Sequence, residues 1–230
     1  TFENLSKGQA EIKLTQVKEV SSEIQAVTLT SDSKLVMDIL PSQGIVVTFK
    51  DMAKHWAEHA IERAATLGIV YGYDNGTFQP DGRVTRAEFT AILVRAFTPT
   101  SKDPQVIEFS DSADIPEWAK SYVFEAAAAG IVTGYEDHSF GAERLISRAE
   151  MAVMVARAIG LGTDTEGAVS FADEDQIPSW AAQEIKASRK AGLISGRDNN
   201  YFVPGENATR AEAAVLILAA YDYVQSATER

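Results

Sequence analysis

The chain repeats itself every 62 residues, and this period restricts its fold more than any single motif does. Trp56, Trp118 and Trp180 stand 62 apart; so do Gly68, Gly130 and Gly192; Gly72, Gly134 and Gly196; Phe78, Phe140 and Phe202; and Arg86, Arg148 and Arg210. Five landmarks in one register mark three copies of one supersecondary unit. Such units stack, because none of them buries its apolar face alone. Only the lead-in drifts: Phe49 precedes its Trp by seven residues, Phe109 and Phe171 precede theirs by nine.

Each copy reads in the same order. A Phe-x-Asp lead-in (Phe49/Asp51, Phe109/Asp111, Phe171/Asp173) runs into Trp-Ala and an Ala-rich stretch with helical spacing, over about 56–67, 118–129 and 180–191. Gly68, Gly130 and Gly192 then stand where a left-handed helix end wants glycine. The loops GYDNGTFQPDG, GYEDHSFGAE and GRDNNYFVPGE are rich in turn formers. A second helix is expected from Thr85, Ser147 and Thr209. There Thr/Ser-x-x-Glu is a capping box, closed by Glu88, Glu150 or Glu212, and Phe89, Ile92, Leu93 and Ala96 form an apolar stripe. With 45% apolar residues, three such pairs can share one core. The expected fold is therefore mainly all-α: three tandem helix-loop-helix repeats at 49–108, 109–170 and 171–230, with approximate threefold symmetry. Segments 98–108 and 160–170 connect the repeats. Residues 1–48 lack the landmarks. In them AVTLT, KLVMDIL and GIVVTF read as short strands, and roughly 4–20 as a short helix. They are expected to be the tail of an upstream domain or a small appendage. Thr1 is not a natural start, so the chain reads as a fragment.

A formal charge of −12 argues against nucleic acid, whose binders carry a basic face, and against long-range capture of acidic polymers. An anionic partner must be gripped locally. The absence of cysteine excludes disulfide and thiolate-metal sites, and no apolar run approaches the ~18 residues of a membrane span.

The arginines are out of place. A helix start favours acidic residues, yet each second helix opens on Arg86, Arg148 or Arg210. Each guanidinium either bonds loop carbonyls or a nearby carboxylate, or it adds a two-pronged grip to the free N–H groups that already favour an anion there. For Trp56, Trp118 and Trp180 core packing is the simpler reading, because each opens an apolar helical stripe. The other is a groove wall against a sugar face, and a half-buried ring serves both. Asp51, Asp111 and Asp173 read as turn residues or as acceptors for sugar hydroxyls. Glu88, Glu150 and Glu212 are explained by capping alone. His55 and His59, four apart, lack a third ligand and read as an exposed helical face, and the DNG and DNN loops lack the ligand pattern of a calcium loop. No metal or cofactor is expected. No nucleophile elbow, phosphate loop or dinucleotide fingerprint occurs. The recurrent carboxylates are copies of one another, whereas glycoside hydrolysis needs two in different environments.

Taken together, the Phe-x-Asp lead-in, the Trp-Ala helix, the A-x-x-x-G-[IL]-[VI]-x-G segment and the [TS]-R-A-E helix start resemble the S-layer homology repeat, over about 176 of the 230 residues. The resemblance implies a three-pronged spindle around a central helical bundle. It also implies an extracellular, non-covalent anchor at the bacterial surface, attached to an upstream cargo or S-layer domain. Grooves between prongs would bind secondary cell wall polysaccharide, typically bearing pyruvate ketals on N-acetylmannosamine. The binding role of the motif's Arg carries over to Arg86, Arg148 and Arg210, and Trp56, Trp118, Trp180, Asp51, Asp111 and Asp173 complete the candidate carbohydrate-binding set, with no catalytic residue. A helical scaffold for another protein and a polysaccharide hydrolase are the alternatives. Ser147 preserves the cap. The missing Pro in GAE, Arg197 in place of Tyr73 and Tyr135, and Ala208 in place of Val84 and Ile146 imply unequal grooves.

Overall fold

The computed structural model describes residues 47–99, 108–162 and 164–228, and among these, six α-helices form. They are α1 (Glu58–Thr66), α2 (Arg86–Phe97), α3 (Glu117–Ala128), α4 (Arg148–Ala158), α5 (Ala182–Lys190) and α6 (Arg210–Thr228). The backbone divides into units 1–44 and 45–230, and all six helices belong to the second. The helix expected near 4–20 and the first two expected strands lie outside the described residues. Of the third strand only 47–49 are described, and they are irregular.

Local chemistry sets the helix ends. Thr85 and Ser147 accept the Glu88 and Glu150 N–H groups while those glutamates accept the N–H groups of Thr85 and Ser147; Thr209 and Glu212 do the same. The first helices end at Gly68, Gly130 and Gly192, with φ of 72°, 73° and 74°. The next N–H reaches back inside the helix in every copy: Ile69 to Ala64, Ile131 to Ala126 and Leu193 to Ser188, each at 2.9 Å. A glycine there accepts the left-handed backbone without a Cβ penalty.

The helices pair across repeats. α3 packs on α2, α5 on α4, and α1 on α6, so each first helix leans on the second helix of the preceding copy. The last pairing closes the ring and carries a two-pronged Arg63–Asp222 ion pair at 2.5 and 2.6 Å. Helices α2, α4 and α6 contact one another and form the centre. Backbone bridges follow the same cycle: Thr85 with Leu145, Ser147 with Asn207, and Arg83 with Thr209. The 62-residue period thus becomes an approximate threefold axis, with the three prongs expected of the fold. One core of buried residues draws on all three copies, including Phe78, Phe89, Phe140, Leu93 and Ile217. A smaller cluster around Phe171, Ile185 and Phe202 fills the third prong.

Candidate functional site

The aspartates come first, because they shape everything around the arginines. Asp51 accepts the N–H groups of Phe78 and Gln79 at 2.8 and 2.7 Å. Asp111 accepts those of Phe140 and Gly141, and Asp173 those of Phe202 and Val203. Both oxygens of each carboxylate are therefore committed to the loop, and none of the three lines a groove. Burial pushes the Asp51 carboxyl up, but the Phe78 and Gln79 N–H groups outweigh it and hold the pKa below the usual Asp value. Each clamp seats the loop Phe against the lead-in Phe of its own repeat, at 5.3, 5.5 and 5.1 Å between ring centroids. The expectation that these aspartates bind sugar hydroxyls gives way to a scaffolding role.

The clamped loops position the arginines. Arg148 donates from Nε to the Phe202 carbonyl at 2.8 Å, and Arg210 donates likewise to Phe78 at 2.9 Å. Arg86 lies over the Phe140 ring at 5.3 Å, but its buried Nε finds no partner. The three residues are only 5, 7 and 8% exposed. Arg86 pairs with Glu150 at 3.2 Å and Arg148 with Glu212 at 2.7 Å, whereas Arg210 donates from Nη2 to the Tyr71 carbonyl at 3.1 Å. Loop carbonyls and carboxylates therefore both hold the guanidiniums.

Two expectations are corrected here. The helix-start N–H groups are not free: those of Arg86, Arg148 and Arg210 donate to the carbonyls of Arg144, Glu206 and Gly82, and those of Ala87, Ala149 and Ala211 to Ala142, Pro204 and Pro80. Packing of one repeat on the next satisfies them, so no helix-end anion site remains. A two-pronged guanidinium grip is not available either. One terminal nitrogen per arginine, Nη2 of Arg86 and Arg148 and Nη1 of Arg210, has no partner among the described residues, and none of these three is sealed from solvent.

Beside each arginine lies a groove. The Arg86 groove, about 550 Å³, is walled by Tyr135 and Glu150 of the second repeat and Trp180 of the third. The Arg148 groove, about 360 Å³, is walled by Arg197 and Glu212 of the third repeat and Trp56 of the first. The Arg210 groove, about 240 Å³, is walled by Tyr71, Glu88 and Arg95 of the first repeat and Trp118 of the second. Every groove thus takes its cation from one repeat, its wall from the next and its indole from the remaining one. The tryptophans are not core residues, at 66, 52 and 52% exposed. A large apolar ring held in water beside a cation is a ready stacking surface for the C–H face of a sugar.

The glutamates have a role beyond capping. One Glu150 oxygen accepts from the N–H and hydroxyl of Ser147; the other accepts from Arg86 and from the Tyr135 hydroxyl at 2.6 Å. Burial pushes the Glu150 carboxyl up, but Tyr135, the Ser147 N–H and Arg86 together hold it below the usual Glu value. Burial and the same contact push the Tyr135 phenol up to about 12. At Glu212, burial is likewise outweighed by the Thr209 N–H, Arg197 and Arg148. These carboxylates stay ionised at neutral pH. The 62-residue step already carried the signal, since a Glu follows each groove Arg by two residues.

His55 accepts the Ala57 N–H at 3.2 Å and sits 3.5 Å from Asp81, while His59 is exposed on α1. Among the described residues, no cluster of side chains is suited to a metal ion and no helix is long and apolar enough to cross a membrane.

Comparison with known proteins finds the same three tandem copies. The family model for the S-layer homology domain matches residues 48–90, 108–152 and 170–214. The chain is 35% identical over 174 residues to an amylopullulanase of Thermoanaerobacterium thermosulfurigenes, covering 74% of this chain and 9% of that protein. It is 35% identical over 175 residues to the exoglucanase XynX of Acetivibrio thermocellus, covering 74% of this chain and 16% of that protein. It is 31% identical over 142 residues to a cellulosome-anchoring protein of the same species, covering 60% of this chain and 32% of that protein. The chain thus spans under a third of the length of each of these relatives.

Proposed function

The chain belongs to the S-layer homology domain family, whose modules anchor proteins at the cell surface, and from that premise we propose that its three grooves bind an anionic secondary cell wall polysaccharide, with pyruvylated N-acetylmannosamine as the recognised sugar. The observation that carries this reading is the threefold recurrence of a buried arginine with one open terminal nitrogen beside an exposed tryptophan from another repeat. A ketal carboxylate accepts from the open nitrogen, and the sugar stacks on the indole. Arg86, Arg148 and Arg210 with Trp56, Trp118 and Trp180 form the proposed binding set; Asp51, Asp111 and Asp173 enter it only by holding the loops.

Binding in three grooves along one polymer gives avidity without a tight single site. It also makes salt only partly effective, because contacts inside a groove are screened less than surface charge. Catalysis is not part of this proposal. A hydrolase needs one carboxyl kept protonated, and both Glu150 and Glu212 are held below their usual value. The cargo of the complete protein, an enzyme or an S-layer domain, belongs to the same proposal.

The test is cosedimentation with purified wall sacculi. Replacing Trp56, Trp118 and Trp180 together with Ala removes exposed rings, so the helical content and melting temperature are expected to persist while sedimentation is lost. Undiminished sedimentation of the folded triple variant would reject the groove assignment. Loss of sedimentation on adding a soluble protein extract, with no binding to pure polysaccharide, would instead support the scaffold reading.

A further inference from the structure

The three grooves share a plan but not a charge. In the Arg148 groove, Glu212 is held by Arg148 and by Arg197, each at 2.7 Å, and Arg197 is itself tied to Glu206. Two guanidiniums meet two carboxylates. In the Arg86 groove, Arg86 meets Glu150 at 3.2 Å, and the second guanidinium, Arg157, lies 3.6 Å from Glu184. The Arg210 groove differs. Arg210 donates only to carbonyl oxygens and makes no ion pair among the described residues. Its second guanidinium, Arg95, lies 5.1 and 5.2 Å from the ring centroids of Tyr71 and Tyr122, with no ion pair or hydrogen bond among the described residues. The one carboxylate on that wall, Glu88, caps Thr85 with Oε2 at 2.8 Å.

The repeat explains the difference. One period carries Arg95 to Arg157 and Tyr122 to Glu184. Where Arg157 finds a carboxylate, Arg95 finds an aromatic ring. Two rings fix a planar guanidinium and limit its rotamer freedom, yet they leave its charge and its donors uncommitted.

Resting on the binding function proposed above, we infer that the grooves are ranked. The Arg210–Arg95–Trp118 groove is the primary anion site, with Arg95 as the residue that selects a carboxylate-bearing sugar over a neutral one. The Arg148 and Arg86 grooves, whose guanidiniums are already paired with carboxylates, bind such a sugar more weakly.

The chain has three tryptophans, one per groove, so their indole N–H signals report the grooves separately. The experiment is a titration of the isotope-labelled chain with the pyruvyl ketal of methyl N-acetylmannosaminide, followed in proton–nitrogen correlation spectra and repeated with the ketal-free glycoside. The Trp118 signal is expected to half-saturate at about tenfold lower concentration than that of Trp56, a difference of one guanidinium–carboxylate contact. Arg95→Gln raises the Trp118 value by about tenfold and leaves Trp56 and Trp180 unchanged, and Glu206→Gln lowers the Trp56 value several-fold. Equal saturation at all three indoles, half-saturation of Trp56 or Trp180 below that of Trp118, or no effect of Arg95→Gln overturns the ranking while the anchoring function stands. Silence of all three indoles toward the ketal overturns both. Thermal melts of each variant confirm that a lost shift is not lost folding.

Discussion

Replacing Asp173 with Ala tests how the loop clamps support the grooves. Asp173 is 1% exposed, and its two oxygens hold the Phe202 and Val203 N–H groups at 2.7 Å each. Val203 sits at a φ of 57°, unfavourable for a β-branched residue, so the clamp also holds a strained backbone. Hydrogen bonds to a charged acceptor contribute about 1.5–3 kcal/mol each. The loop relaxes in part and admits water, so the two losses do not add fully, and a net cost of about 3 kcal/mol is expected. For a body of this size that corresponds to a fall of roughly 6–12 °C in melting temperature. Asp51 makes the same two bonds in an exposed position, where water replaces the lost acceptor, and Asp51→Ala is expected to cost about 1 kcal/mol. The effect reaches the groove, because the Phe202 carbonyl released by Asp173→Ala is the acceptor for Arg148 Nε. Calorimetric melts of both variants, with the Trp56 indole signal as a second readout, make the comparison. A loss at Asp173 no larger than at Asp51 would refute the clamp argument.

Other outcomes follow from the same geometry. The folded pKa values of Glu150 and Glu212 lie below the unfolded value of 4.5, so the unfolded chain takes up protons first as pH falls. Their stabilisation is complete above about pH 5 and is lost as pH drops through the folded values, which urea midpoints at pH 7, 5, 4 and 3.5 will follow. Gly130→Ala meets no atom within 4 Å of the new Cβ, so its cost is the left-handed backbone alone, about 1–2 kcal/mol. Gly72→Ala places its Cβ 2.3 Å from the Phe49 ring and 2.7 Å from the Thr77 carbonyl, and a larger loss of about 2–3 kcal/mol is expected in the same melts. Replacing Arg86, Arg148 and Arg210 together with Ala is expected to unfold the chain in circular dichroism. It strips partners from Glu150, Glu212 and three loop carbonyls.

The sequence disclosed the helices, their caps and the cycle of repeats, because those rest on local chemistry and on a period that can be counted. The orientation of the tryptophans was also there to be read. Ala57, just before α1, lines up with Ile61 and Ala64 as one buried stripe, and Trp56 lies one residue off it. Ala119, Val123 and Ala126 leave Trp118 on the exposed face of α3 in the same way. Size and hydrophobicity favoured the core; the phase of the stripe decided otherwise. The fate of the helix-start N–H groups was not legible, since their carbonyl partners come from another repeat and no local pattern announces them. The glutamates were hidden by a sufficient local explanation. A capping box engages one carboxylate oxygen, and at Glu150 and Glu212 the second one faces the arginine of the previous copy. Groove identity is thus a property of the closed ring and of three copies at once.

The most direct measurement of the central claim is titration calorimetry of the intact chain with a short, defined wall saccharide, carried out with the ketal carboxylate present and with the ketal removed by mild acid. Saturable binding of the carboxylate form, lost or weakened at least about tenfold without it, is the expected result. Equal heats for the two forms, or none for either, would contradict it.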